Sequence, residues 1–121
     1  MSGDAELDYA YLTTTGRVTG RPHEIEIWFA LHAGTVYVLS GGGDRSDWVR
    51  NLVADPSVTL RIGDDVRATS ALVVTDTEEL ELARGVLVEK YQPRYSGDLT
   101  TWRARSLPVA ITWDDEPARS T

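Results

Sequence analysis

GRVTGRPHEIEIWFALHAGTVYVLSGGGDRSDWVRN, residues 16–51, decides how the rest of the chain is read. It divides into a loop, a strand, a tight turn, a second strand, a glycine-rich loop and the first turns of a helix. From His23 to Leu31 the residues alternate: Ile25, Ile27, Phe29 and Leu31 share one face, and Glu24, Glu26, Trp28 and Ala30 share the other. That period of two marks a strand, whose successive side chains point to opposite faces. His32-Ala33-Gly34-Thr35 supplies a turn, and Val36, Tyr37, Val38 and Leu39 form a returning strand, so a hairpin is expected. After the glycines, Asp44 or Ser46 is placed to cap a helix, with Asp47 in its first turn. Trp48 and Leu52 are four apart, as are Val49 and Val53, which makes the helix amphipathic, and Asp55-Pro56 ends it.

The flanking segments continue this mixture. Upstream, residues 5–13 (AELDYAYLT) are expected as a short helix with Leu7, Tyr11 and Leu12 as its apolar stripe. Downstream, Val58, Leu60 and Ile62 alternate with Thr59 and Arg61. Gly63-Asp64-Asp65 turns the chain into a longer strand over 66–74, with Val66, Ala68, Ser70, Leu72 and Val74 on one face. Asp76 and Glu79 have the spacing of a capping box, and Leu80, Ala83, Leu87 and Tyr91 form the core stripe of the helix that follows, which Pro93 ends. Residues 98–106 read as a further helical turn, and Leu107, Val109, Ile111 and Trp113 alternate as a last strand. Residues 1–113 are thus expected as one domain, mainly β with helices (α+β), and the charged tail 114–121, which contains Pro117, as disordered. Short connections between antiparallel pairs favour a small closed barrel with helices over its openings, rather than a parallel βαβ fold.

Composition narrows the function. The chain has 121 residues, 41% of them hydrophobic, enough for one modest core. Cysteine is absent, which excludes disulfides, thiol chemistry and a cysteine zinc site, and two histidines are a poor basis for any other metal centre. The formal net charge is -7, opposite to the basic surface of a nucleic-acid binder. Any anionic ligand must be held by a local basic cluster against that mean field. No apolar run is long enough to cross a membrane, and the start Met1-Ser2-Gly3-Asp4-Ala5-Glu6 is unlike a signal peptide, so a cytoplasmic protein is expected.

Two loops have the chemistry to hold a phosphate. Gly16 to Pro22 carries Arg17, Thr19, Gly20 and Arg21; glycines let backbone N–H groups approach an anion, and arginine adds charge-assisted bonds. The alternative is a surface turn with two solvated arginines. Ser40-Gly41-Gly42-Gly43 precedes a helix, whose N-terminus offers free N–H donors and partial positive charge; the alternative is a flexible loop. No Gly-Lys-Ser/Thr follows, so it is not a P-loop. Trp48 is placed either to wall a flat heterocycle or to fill core, and Asn51 either to bond a ligand or to bond a neighbouring loop. His23 is either an acid or a structural strand residue. Tyr91 and Tyr95 are candidates for a substrate pocket. No Ser-His-Asp arrangement is present, which argues against a hydrolase.

The ordered set GRVTGRP, hairpin, SGGG and SDWVRNLVADPSVTLRIG resembles the deazaflavin (coenzyme F-420)-dependent nitroreductase family, within the flavin-binding split-barrel superfamily that also holds the pyridoxamine-phosphate oxidases. The resemblance spans roughly residues 10 to 75. It implies a split β-barrel of the FMN-binding type, usually a homodimer, with coenzyme F-420 or FMN in a groove beside the barrel. It places Arg17, Thr19, Gly20 and Arg21 together with Ser40, Gly41, Gly42 and Gly43 at the cofactor phosphate, and matches Trp48 and Asn51 to a WxxN signature. Tyr91 and Tyr95 correspond loosely to tyrosines that face substrate and are the catalytic candidates. Two positions depart from the family pattern: Gly41 stands where a lysine is common, and Asp47 where a proline precedes the tryptophan. The implied activity is hydride transfer to a quinone, enone or nitro compound, with the cofactor carrying the chemistry. An FMN-dependent oxidoreductase and a binding protein without turnover are the alternatives.

Overall fold

The computed structural model describes residues 6–113, so the expected tail at 114–121 lies outside the described residues. Seven strands form one antiparallel sheet. They are β1 (Ala10–Thr15), β2 (Pro22–Ile27), β3 (Ala30–His32), β4 (Thr35–Ser40), β5 (Ser57–Ile62), β6 (Asp65–Val73) and β7 (Leu107–Thr112), in the order β2-β1-β5-β6-β7-β4-β3. The helices are α1 (Asp47–Ala54), α2 (Thr77–Tyr91) and α3 (Thr100–Arg105). The sheet curls, but its terminal strands β2 and β3 are not hydrogen-bonded to each other. The barrel is therefore split rather than closed. None of the described helices is long and apolar enough to cross a membrane.

Two apolar layers hold this arrangement. Inside the curl, Leu12, Phe29, Val36, Val38, Leu52, Leu60, Ile62, Val109 and Ile111 pack together, so α1 closes the concave side through Leu52. Outside it, Ala83, Leu87 and Tyr91 of α2 cover Ala30, Tyr37 and Leu39 of the β3–β4 half. The expected stripe of α2 is the one buried, and the Asp76 carboxylate accepts from the Glu79 N–H at 2.9 Å as its N-cap.

Three local expectations are corrected. The helix expected over 5–13 is not formed by its described residues 6–13: Ala10, Leu12 and Thr14 are buried in alternation on β1, and the run Thr13-Thr14-Thr15 suits a pleated strand. The strand expected over 23–31 breaks at Trp28-Phe29. β2 turns away to pair with β1, Ala10 facing Ile27, and only β3 makes a hairpin with β4. Its two-residue turn uses Ala33 (φ 52°) and Gly34 (φ 83°), the left-handed pair that a tight hairpin requires. On β6 the face carrying Val66, Ala68, Ser70 and Leu72 points outward, with Val66 57% and Leu72 68% exposed. Register decides this: Leu60 of the core lies opposite Arg67, which puts Ala71 on the core side.

Candidate functional site

The first loop is the turn between β1 and β2. Gly16 N–H donates to the Arg21 carbonyl and Gly20 N–H to the Gly16 carbonyl, both at 2.8 Å, which closes the loop on itself. Its anchor is Asn51, buried on α1. The Asn51 carboxamide oxygen accepts from Arg17 Nη1 at 2.8 Å and from the Arg17 N–H at 3.2 Å, while its Nδ2 donates to Thr14 Oγ1 at 3.2 Å. One side chain thereby fixes β1, the loop and the helix. Arg17 also donates through Nη1 to the Asp47 carbonyl at 3.4 Å and pairs through Nη2 with Asp47 Oδ1 at 3.3 Å. Thr19 Oγ1 accepts from the Arg21 N–H at 3.2 Å, and the Arg21 guanidinium has no bonding partner among the described residues. Between loop and helix lies a cleft of about 220 Å³ lined by Gly16, Arg17, Thr19, His23, Asp47 and Asn51.

The second loop joins β4 to α1 through a 3-10 turn at Gly43–Arg45. Ser40 Oγ donates to the Gly43 carbonyl and lies 2.8 Å from Ser46 Oγ. Ser46 takes the N-cap position, but its hydroxyl is turned to Ser40 and makes no cap bond to the helix. Among the described residues no side chain caps the first-turn N–H groups of α1, the condition in which a helix N-terminus receives an anion. A Cβ at Gly42 would stand 2.6 Å from Ser46 Oγ, and Gly43 has φ 65°, so this loop is built for glycine. Both loops abut the start of α1, one through Arg17 and Asp47, the other through Ser40 and Ser46.

A third feature borders the glycine loop. Trp28, freed by the strand break, stacks on Tyr91 with ring centroids 4.2 Å apart and planes 4° apart. Tyr95 and Trp102 meet Trp28 edge-on at 5.8 and 5.4 Å. Trp102 on α3 is also the nearest neighbour of the Cβ position at Gly41, at 3.8 Å. α2 stops at Tyr91, and the 3-10 turn Gln92–Arg94 carries the chain on so that both tyrosines reach Trp28. The two differ in chemistry. Tyr91 is buried; its hydroxyl accepts from the Phe29 N–H at 3.0 Å and lies 2.7 Å from the Asp8 carbonyl, and burial pushes its pKa up to about 12. Tyr95 is half-exposed and its hydroxyl has no hydrogen-bond partner among the described residues. Lys90 Nζ donates to the Phe29 carbonyl at 2.9 Å; partial burial, with Arg94 nearby, lowers its pKa to about 8.

Of the residues expected at a cofactor, Arg17 and Ser40 bond or contact residues at the start of α1, and Thr19 lines the cleft with Asp47. Trp48 is half-buried against the inner core, while Asn51 holds a loop. Trp28 and Trp102 were not singled out by sequence reasoning. The signal available for Trp28 was a large aromatic on the polar face of an alternating strand.

Residues 4–114 match the model of a family described as F420H(2)-dependent quinone reductase. Among solved structures, an F420-H2 dependent reductase is 25% identical, with 86% of this chain and 92% of that one covered at a TM-score of 0.66. A conserved hypothetical protein from Mycobacterium tuberculosis is 21% identical, with 93% and 81% covered at a TM-score of 0.70. A chain described as a domain-swapped dimer is 24% identical, with 86% and 78% covered at a TM-score of 0.67.

Proposed function

The chain belongs to the F420H(2)-dependent quinone reductase family, and on that premise we propose that it binds coenzyme F-420 and uses it to reduce a small electron-poor acceptor: a quinone, an enone or a nitro compound. The observation that supports this reading is the convergence of two loops on an uncapped helix N-terminus. The donor set suits the phosphate of such a cofactor: Arg17 and Arg21 supply guanidinium groups, Thr19 a hydroxyl, and Gly41 to Gly43 a backbone that no Cβ obstructs. The basic cluster offers a local attraction that the net charge of -7 opposes elsewhere.

Bound F-420 supplies a reduced ring able to give up a hydride. The chain's part is to bind, orient and exclude water. Asn51 sets the arginine loop, and Gly41 leaves Trp102 open to a flat ligand. Trp28, Tyr95 and Trp102 offer the aromatic surface on which we place the acceptor. Tyr91 serves that surface by stacking under Trp28; its hydroxyl is committed to backbone. Tyr95, whose phenol is unengaged, is the residue we assign to returning a proton. A homodimer is part of the proposal. It is supported by the similar chain described as a dimer and by the uncharged outward stripe Val66, Ala68, Ser70 and Leu72 of β6.

The test is titration of the purified protein with F-420 and with FMN, followed by fluorescence, together with an Arg17→Ala/Arg21→Ala double variant. F-420 is expected to bind, and the double variant to lose about ten-fold or more in affinity, as deleting charge-assisted bonds does, while melting only a few degrees lower. Tighter binding of FMN, or unchanged affinity in the double variant, refutes the assignment.

A further inference from the structure

Asp47 occupies the guanidinium that the proposed phosphate needs. Arg17 is the arginine of the first loop that is held in place, by Asn51, yet one edge of it is spent on the Asp47 carboxylate and carbonyl. The carboxylate itself is 85% exposed and stands at the first residue of α1, so it is an anion parked where a ligand anion would dock. We propose that Asp47 is a specificity-determining gate: its carboxylate competes with the ligand's phosphate for Arg17 and sets how strongly the site discriminates by charge. This inference rests on the cofactor site described above and adds a residue that works against binding.

Asp47 opposes an anionic ligand in two ways. An arriving phosphate must first displace the Asp47 carboxylate from Arg17 Nη2. It must then sit beside a residual negative charge that points to solvent. Both reduce affinity for an anion and leave a neutral ligand unaffected. Asp47 also does something useful for the fold, because a carboxylate in the first turn of a helix opposes the partial positive charge there. Its effects on stability and on anion affinity should therefore have opposite signs, which a merely structural residue does not show.

Asp47→Asn keeps an acceptor for Arg17 and removes the charge. At low ionic strength it should bind F-420 about two- to five-fold more tightly, the range that releasing one exposed ion pair gives, and the gain should shrink as salt is raised. Affinity for the phosphate-free ribityl deazaflavin should not move. The melting temperature should fall by about 1–3 °C. Unchanged or weaker F-420 binding by Asp47→Asn at low salt overturns the gate, as does an equal gain for the phosphate-free compound. Arg17→Ala separates the levels of failure. If that variant weakens F-420 binding while Asp47→Asn does not strengthen it, the gate alone is wrong. If Arg17→Ala has no effect, or the wild-type protein does not bind F-420, the cofactor site falls and the gate with it.

Discussion

Asn51→Ala should be the most costly polar substitution in the candidate site, and the structure says by how much. Asn51 is 3% exposed and makes three bonds: to the Arg17 N–H, to the Arg17 guanidinium and to Thr14 Oγ1. Two are neutral, at about 1 kcal/mol each, and one is to a charged donor, at about 1.5–3 kcal/mol. The guanidinium is part-exposed, so water recovers much of that third bond when the carboxamide is removed. Thr14, 1% exposed, does not recover its own as easily. A net loss of about 3 kcal/mol follows, or about 10 °C in melting temperature for a domain of this size. Arg17→Ala gives up only the part-exposed end of the same network and should cost about 1 kcal/mol. Asn51→Asp should fall between, because the carboxylate still accepts from Arg17 and the Thr14 hydroxyl can turn to donate. Thermal melts and urea titrations of the three variants give the order directly. If Asn51→Ala melts within about 3 °C of the wild type, or costs no more than Arg17→Ala, then Asn51 is not the anchor of the loop and the argument built on it is wrong.

Lys90 makes a pH-dependent prediction. Its pKa is lowered from 10.5 to about 8 by burial and by Arg94, with Asp8 and Glu6 opposing; the unfolded chain therefore binds more protons between pH 8 and 10.5, and wild-type stability should rise with pH across that window relative to Lys90→Met while staying level below it. Urea unfolding at pH 7, 8, 9 and 10 checks this, and a constant difference between the two proteins counts against it. Leu72→Glu places a charge in the uncharged outward face of β6, and should convert a dimer to a monomer in sedimentation without lowering the melting temperature by more than a degree or two, since Leu72 is 68% exposed; an unaltered assembly state shows that this face is not the contact.

Most of the fold was legible because period and punctuation coincide. β4, β5, β7, α1 and α2 each carry a strand or helix alternation bounded by Gly, Pro or Asp, and the structure places them within a residue or two of expectation. The segments that misread are those where tertiary pairing outweighs the local pattern. AELDYAYLT has the composition of a helix, but Ala10 to Thr15 sits between β2 and β5 and takes its hydrogen bonds from both. HEIEIWFAL alternates without interruption, yet it must serve opposite edges of a curled sheet, so it breaks between Ile27 and Ala30. The face of β6 could not be read from its own residues: Val66 and Leu72 are apolar and Arg67 is charged, while the register with Leu60 puts Arg67 on the inner side.

The same distinction separates the two halves of the candidate site. The half proposed to bind phosphate is local chemistry. Arg17, Arg21, Ser40 and the three glycines lie in short loops whose residue types declare what they can bind, and the helix that unites them starts four residues on from Gly43. The aromatic half is not local. Trp28 reaches it only because the backbone bends at Phe29, and that bend is held from 61 and 62 residues away, by Lys90 on the Phe29 carbonyl and by the Tyr91 hydroxyl on its N–H. Trp102 in turn meets Gly41 through α3, a helix of only six residues whose first N–H, that of Thr100, is bonded by the Asp98 carboxylate at 2.9 Å. Such a helix has little intrinsic stability and is kept by what it packs on, so its place over the glycine loop is a property of the assembled fold and not of the segment DLTTWRARS. The aromatic surface proposed for the acceptor is therefore the part of the candidate site that depends most on long-range packing, and substitutions at Lys90 or Tyr91 should disturb it while leaving the arginine loop, anchored separately by Asn51, intact.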